Sequence, residues 1–286
     1  MATLTRQARP VAIRPLKAIV VEPTNRCNLA CITCPVNRGM QRPRGNMTFE
    51  LFQKVIKGVP PLKRLSLNGW GEPLLHPDVF RMVRFAKENG AQTVIFCTNG
   101  TLLDDDRIDQ VFDSGLDILE FSVDGLAGVY ENIRGVDYRA VEQRIHETLL
   151  RRQELCSPLR VGLVFTVCGQ NEAHAHAFQK AWQDHVDYIK LQPMVICGER
   201  TTPYCAEFFG KHDGRLVVLW DGTVTVCCAD MEGEIALGSA WHESLLEIWN
   251  GDALQRIRAD IMRGTLPPPC RGCAEIDTAA GQKRYS

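Results

Sequence analysis

Apolar and polar positions divide this 286-residue chain into two parts with different rhythms. Up to about residue 192, short β-branched and aliphatic runs alternate with longer segments of helical spacing, the pattern of parallel βα units. The runs predict strands over 17–22, 64–68, 92–97, 118–123, 160–167 and 188–192. Between them the spacing predicts helices over 49–58, with Thr48 as N-cap, and over 79–89, 104–114, 138–153 and 173–184. In the second helix Phe80, Val83 and Ala86 recur at helical spacing, and Asp104, Asp105 and Asp106 suit the positive end of the third. Strands that begin about 25–40 residues apart leave room for right-handed crossovers. The expected fold class is therefore α/β, a partial (β/α)6 TIM-like barrel.

Beyond Met194 the rhythm changes. Residues 216–220 and 223–227 flank Asp221-Gly222 and read as a β-hairpin, because Asp-Gly supplies the positive φ of a two-residue turn. A glycine-bearing segment near Leu237-Gly238 and short helical patterns over 244–250 and 253–263 follow. The expected organisation is an N-terminal extension (1–16), a barrel (17–195) and a small cysteine-rich C-terminal domain (196–286).

In parallel α/β sheets the chemistry sits where strand C-termini feed their loops. Here those positions carry Cys27, Cys31 and Cys34, then Asn68-Gly69-Trp70-Gly71-Glu72-Pro73, Cys97-Thr98-Asn99-Gly100, Ser122-Val123-Asp124-Gly125 and Gln192-Pro193-Met194. Three thiols separated by three and then two residues can converge from one loop onto three irons of a cubane, leaving the fourth open to a small molecule. Three cysteines alone also suit buried thiols or part of a zinc site. The glycines let backbone approach a ligand, while Asn, Ser, Asp and Glu offer donors and acceptors for an amino acid and a ribose.

Composition narrows the partners. With 33 basic and 34 acidic side chains, net charge −1, no global field recruits nucleic acid or an anionic membrane, so a small-molecule substrate is expected. Twelve cysteines without a signal-peptide core or an apolar run near membrane-spanning length point to a reducing cytoplasm and thiolate ligands rather than bridges.

The cysteine loop and the strand-end motifs over residues 17–195 resemble radical S-adenosylmethionine (SAM) enzymes. The resemblance implies a [4Fe–4S] cluster on Cys27, Cys31 and Cys34, with the methionine end of SAM on the open iron. It implies that Gly71 and Glu72, in the family's Gly-Glu-Pro motif, hold the SAM amino group, and that Asn99, Ser122 and Asp124 contact its ribose or carboxylate. One residue departs from the pattern: the position before the third cysteine is commonly aromatic, and here it is Thr33.

In the C-terminal part, a Cys-x-x-Cys (Cys270, Cys273) plus two distant thiols can build a four-thiolate site, which zinc would also accept. Cys205, then Gly222 five residues before Cys227, then Cys270 and Cys273 resemble the Twitch form of the SPASM auxiliary-cluster domain. That implies a second [4Fe–4S] cluster on these four. Cys227 is preferred to Cys228 because adjacent strand residues point to opposite faces and the glycine spacing favours it. No cysteine follows Cys273 in the last 13 residues, so one auxiliary cluster is expected. Cys97, Cys156, Cys168, Cys197 and Cys228 read as small hydrophobes. By resemblance to radical SAM epimerases, Cys197 and Cys228 are also candidate hydrogen-atom donors.

The resemblance implies a 5′-deoxyadenosyl radical that abstracts hydrogen from a substrate in the barrel mouth. The expected reaction is oxidation of a small polar alcohol, on a sugar or aminocyclitol, with the auxiliary cluster taking the second electron from the substrate. A flavodoxin- or ferredoxin-type donor would reduce the first cluster. The alternatives are a SPASM-type peptide or protein maturase, which the mere 16 residues before the first strand weaken, an epimerase with a cysteine donor, and a non-catalytic iron–sulfur or zinc protein.

Overall fold

The computed structural model describes residues 15–37, 39–193, 215–263 and 265–270. Nine strands form one sheet among them: β1 (Ala18–Val21), β2 (Arg64–Leu67), β3 (Thr93–Thr98), β4 (Ile118–Ser122), β5 (Arg160–Val167), β6 (Tyr188–Pro193), β7 (Arg215–Val218), β8 (Thr223–Thr225) and β9 (Gly238–Ser239). Their order is β6-β5-β4-β3-β2-β1-β7-β8-β9, and every pairing from β6 to β7 is parallel. All six predicted barrel strands are present.

The crossovers are made by α1 (Phe49–Lys57), α2 (Val79–Glu88), α3 (Asp105–Asp113), α4 (Val129–Arg134), α5 (Tyr138–Glu154) and α6 (Ala175–Trp182). Thr48 caps α1 by accepting from the Leu51 N–H, and Asp104 caps α3 by accepting from the Arg107 N–H. The six-residue α4 was not among the predicted helices, because it is too short to display a period. It is bounded by Gly128 and Gly135, both at positive φ.

Strand residues alternate between two different faces. Ile19, Val21, Leu65, Leu67, Val94, Phe96, Leu119, Phe121, Leu163 and Phe165 lie in the main core. The opposite parity brings Ser66, Cys97, Glu120, Ser122, Thr166, Tyr188 and Gln192 to the other face. A parallel sheet covered by helices on both sides would be apolar on both. This second face, which mixes those polar residues with Val20, Ile95, Ile118 and Val164, is the lumen of the partial barrel. Across it, Cys97, Glu120, Gly162 and Tyr188 stand at one level of the register. A Cβ on Gly162 would run into the Tyr188 ring, so its absence lets that ring cross β5 and donate its hydroxyl to Glu120 Oε1 at 2.9 Å.

The C-terminal hairpin forms, with one difference from expectation, in its turn. Its first strand, β7, pairs in parallel with β1, Ala18 opposite Arg215 and Val21 opposite Val218. β1 is buried at all four positions, and pairing on its second edge satisfies a ladder that would otherwise be open. The turn spans three residues, not two. Leu219 N–H donates to Thr223 O and Gly222 N–H to Leu219 O, with Gly222 at φ +94°, which frees Trp220 to leave the ladder. The expected boundary at 195/196 lies outside the described residues. Two short helices, α7 (Leu245–Asn250) and α8 (Asp252–Met262), close the described C-terminal part. No helix among the described residues is long and apolar enough to cross a membrane.

Candidate functional site

The cysteine loop leaves β1 and is fastened at several points before and between its thiols. Asn25, fully buried, donates to Pro43 O at 2.8 Å and accepts from Gly45 N–H at 2.9 Å, so the following loop is folded back against it. The Glu72 N–H donates to Arg26 O at 2.8 Å, and the Ile32 N–H donates to Ile133 O on α4 at 2.9 Å. Asn28 donates to Thr101 Oγ1 at 2.8 Å and accepts from Asn99 Nδ2 at 3.0 Å. Loops from β2, β3 and β4 thus all grip the segment that carries Cys27, Cys31 and Cys34.

Gly71 is the tightest of these contacts. A Cβ there would run into the carbonyl oxygens of Thr24 and Arg26, both backbone atoms with little freedom to move. Beyond it, a 3-10 turn (Pro73–Leu75) leads to His76, whose Nε2 bonds Met47 O at 2.8 Å while Nδ1 accepts from Asp78 N–H at 3.0 Å. Only the neutral ring makes both bonds. Burial lowers its pKa, against the Met47 carbonyl and Asp78, which raise it. The unfolded chain takes up this proton below about pH 6.5 and the folded chain does not, so stability is full above that pH and lost as pH falls. We expect the melting temperature to drop on the acid side of pH 6.5. His76→Gln should lower the folding stability by roughly 1–3 kcal/mol at neutral pH and flatten the acid limb, as thermal melts across pH would read.

The three thiols come together electrostatically. Burial raises the pKa of each, and Cys27 is raised further by Glu72, Cys31 and Cys34, while Arg134 lowers Cys31 and Cys34. Thiolates so placed need a cation to ionise at neutral pH. The Leu29 N–H points at Cys27 Sγ at 3.5 Å. Among the described residues no three His, Cys, Asp or Glu close on one ion. Three thiols that come from one loop and bear on one another electrostatically are donors of the kind a cubane takes, one to each iron.

The other expected site residues sit on the same rim, largely committed to protein partners. The Glu72 carboxylate accepts from Leu74 N–H at 3.0 Å, Thr98 Oγ1 at 2.7 Å and Asn99 N–H at 2.7 Å, three of its roughly four acceptor positions. Burial pushes its pKa up and these bonds pull it down. Asn99 Oδ1 accepts from the Thr101 N–H and hydroxyl. Ser122 Oγ lies 3.0 Å from Cys97 Sγ, whose thiol burial pushes to about 12. Asp124, fully buried, accepts from Arg134 Nη2 at 2.7 Å and from Thr166 N–H at 2.8 Å. Thr33 is half-buried.

In the C-terminal part, Cys227 is half-buried against the core and its Sγ faces the Ala229 N–H at 3.4 Å, the same offset of two residues as in Cys27 and Leu29. Cys228 is exposed, and its carbonyl accepts from Trp70 Nε1 at 2.7 Å. Cys270 also packs against the core. Cys197, Cys205 and Cys273 lie outside the described residues.

Sequence reasoning missed a buried ion pair at the head of the site. Arg42 Nη2 lies 3.0 Å from both Glu22 oxygens, with only 8% and 1% of the two side chains exposed. Glu22 also accepts from the Trp70 and Trp220 N–H groups, while Arg42 Nε donates to Met231 O and the Gln41 and Arg42 N–H groups donate to Glu232. This cluster ties β1, the Gly-Glu-Pro loop and the segment after Cys228 together. An acid ending an apolar strand was its one local signal. Arg134 and Glu120, also buried, gave none.

Comparison with known proteins agrees with this geometry. The radical SAM superfamily model matches residues 21–180, and the SPASM iron–sulfur cluster-binding domain matches 205–274. The chain is 37% identical over 114 residues to a tungsten-containing aldehyde ferredoxin oxidoreductase cofactor-modifying protein of Pyrococcus furiosus, covering 39% of this chain and 32% of that one. It is 30% identical over 188 residues to pre-heme d1 synthase of Dinoroseobacter shibae, covering 64% and 45%. The matched part thus spans less than half of either relative. The crystal structure of BtrN in complex with AdoMet and 2-DOIA superposes with a TM-score of 0.61 at 17% identity, covering 88% of this chain and 89% of that one. That of anSMEcpe with bound AdoMet gives 0.66 at 15%, covering 85% and 82%. With a [4Fe–4S] cluster, SAM and auxiliary iron–sulfur binding implied by the two matched domains, the chain belongs to the radical SAM superfamily.

Proposed function

We propose that the protein is a radical SAM oxidoreductase that removes a hydrogen atom, then an electron and a proton, from a small polar alcohol such as a sugar or aminocyclitol. Cys27, Cys31 and Cys34 would hold the SAM cluster, and Cys205, Cys227, Cys270 and Cys273 the auxiliary one. When bound, these groups supply a 5′-deoxyadenosyl radical and an electron acceptor. The observation that carries the reading is the bond from Trp70 to Cys228, which sets the auxiliary-ligand loop directly against the Gly-Glu-Pro loop. A substrate in the lumen then lies beside both.

The chain's own residues do the rest. Gly71, Glu72 and Asn99 order the rim that would receive SAM, with Ser122 and Asp124 beside them. Trp70 and the Glu22–Arg42 pair hold the auxiliary segment over the mouth, which keeps water from a reactive radical. Glu120, buried on the lumen face and bonded to Tyr188, is placed to accept the proton. An external flavodoxin- or ferredoxin-type protein would supply the reducing electron.

A second reading, epimerisation, rests on Cys228, an exposed cysteine whose backbone carbonyl is bonded to Trp70 and whose thiol would return a hydrogen atom. Turnover in deuterated water separates the two. The oxidoreductase gives product two electrons more oxidised with no solvent deuterium at carbon, whereas deuterium at carbon would replace it with the epimerase. Reconstituted protein should bind about eight irons, and about four with one zinc would remove the electron acceptor the proposal needs.

A further inference from the structure

The loop that carries Cys27, Cys31 and Cys34 is closed at its base by one side chain. Arg44 Nη1 donates to Asn25 O at 3.2 Å, two residues before Cys27, and Arg44 Nη2 donates to Val36 O, two residues after Cys34. A single half-buried guanidinium thus bridges both ends of the segment that holds all three thiols. Nη1 also lies against Met40 Sδ, and among the described residues none of the side-chain bonds of Arg44 goes to a carboxylate.

Arg44 is itself held from both sides. The Asn25 side chain donates to Pro43 O and accepts from the Gly45 N–H, which fixes the backbone before and after Arg44. The Trp220 ring rests on Gly45, where a Cβ would run into it, and Trp220 Nε1 donates to Pro43 O at 3.2 Å. The turn of the C-terminal hairpin therefore backs the residue that closes the cysteine loop. We propose that Arg44 is the clasp of this loop: it keeps the ends together before iron binds, so that the three thiols are presented as a set, and it slows loss of the cluster afterwards. Arg44 is a positioning residue in this role. Closing the loop in the apo protein removes an ordering cost that cluster binding would otherwise meet. The planar fork engages two carbonyls at once, a geometry that a lysine ammonium on its flexible stem does not reproduce.

The inference rests on Cys27, Cys31 and Cys34 as ligands, which is tested separately: full iron and an unchanged SAM-responsive EPR signal in Cys31→Ala would overturn that reading, and with it the role given to Arg44. Arg44→Met keeps an aliphatic stem and removes both donors, while Arg44→Lys keeps the charge and loses the fork. The first readout is amide hydrogen exchange of the apo protein, followed by NMR. The Ile32 and Cys34 N–H groups, bonded to Ile133 O and Cys31 O, should exchange about tenfold faster in both variants, with Leu119 and Phe121 in β4 unchanged. The second is an EDTA challenge of reconstituted protein. Iron should leave the cluster whose EPR signal responds to SAM about tenfold faster than in wild type, and the auxiliary cluster at the wild-type rate. Arg44→Lys decides alone if Arg44→Met does not fold. Wild-type exchange at Ile32 and Cys34 in a folded variant, exchange raised equally in β4, iron loss that is unchanged or equally faster from both clusters, or failure of both variants to fold would overturn the clasp.

Discussion

Arg42→Ala is expected to cost about 3–5 kcal/mol of stability, because it leaves the Glu22 carboxylate buried with only two long backbone hydrogen bonds. In a chain of this size that lowers the melting temperature by on the order of 10 °C. The cost comes from the stranded charge rather than from net attraction within the pair. Glu22→Leu combined with Arg42→Met should therefore recover much of the loss. The double variant still lacks the Arg42 side-chain bond to Met231, so the auxiliary segment should stay loosened, visible as faster proteolysis after Cys228. Denaturant melts of the single and double variants check this. A single variant within 1 kcal/mol of wild type would mean that water reaches Glu22.

Gly71→Ala carries the second large effect. The new methyl group meets the Thr24 and Arg26 carbonyls, so the bond from Glu72 N–H to Arg26 O must break or the cysteine loop must move. Overpacking of this kind costs roughly 1–3 kcal/mol. The larger consequence is geometric, since a loop shifted by even 1 Å no longer presents its three thiols to one cluster. Reconstituted Gly71→Ala should hold about half the iron of wild type, the auxiliary share alone. Gly169→Ala, whose Cβ would meet nothing within 4 Å, is the matched control and should keep all of it. Full iron in Gly71→Ala would show that the loop tolerates displacement.

What was legible in the sequence was local. The spacing of Cys27, Cys31 and Cys34, the β-type runs and the caps at Thr48 and Asp104 each lie within one short segment, where chain geometry leaves few options. The rim motifs were found because each directly follows a strand. What escaped depends on contacts between distant residues. Arg42 meets Glu22 only after the loop folds back through Asn25, and Glu22 looks like an ordinary strand end until then. The pairing of β7 with β1 is a choice of edge, which a hairpin pattern does not specify. Glu72 and Asp124 were recognised as rim residues, but the protein donors that occupy their carboxylates come from β3, α4 and β5.

The account centres on a cluster at Cys27, Cys31 and Cys34 that binds SAM. The most direct measurement is release of 5′-deoxyadenosine by anaerobically reconstituted protein given dithionite and SAM, in wild type and in Cys27→Ala. The account predicts release by wild type and none above background from the variant. Cleavage of SAM by Cys27→Ala at the wild-type rate would contradict it.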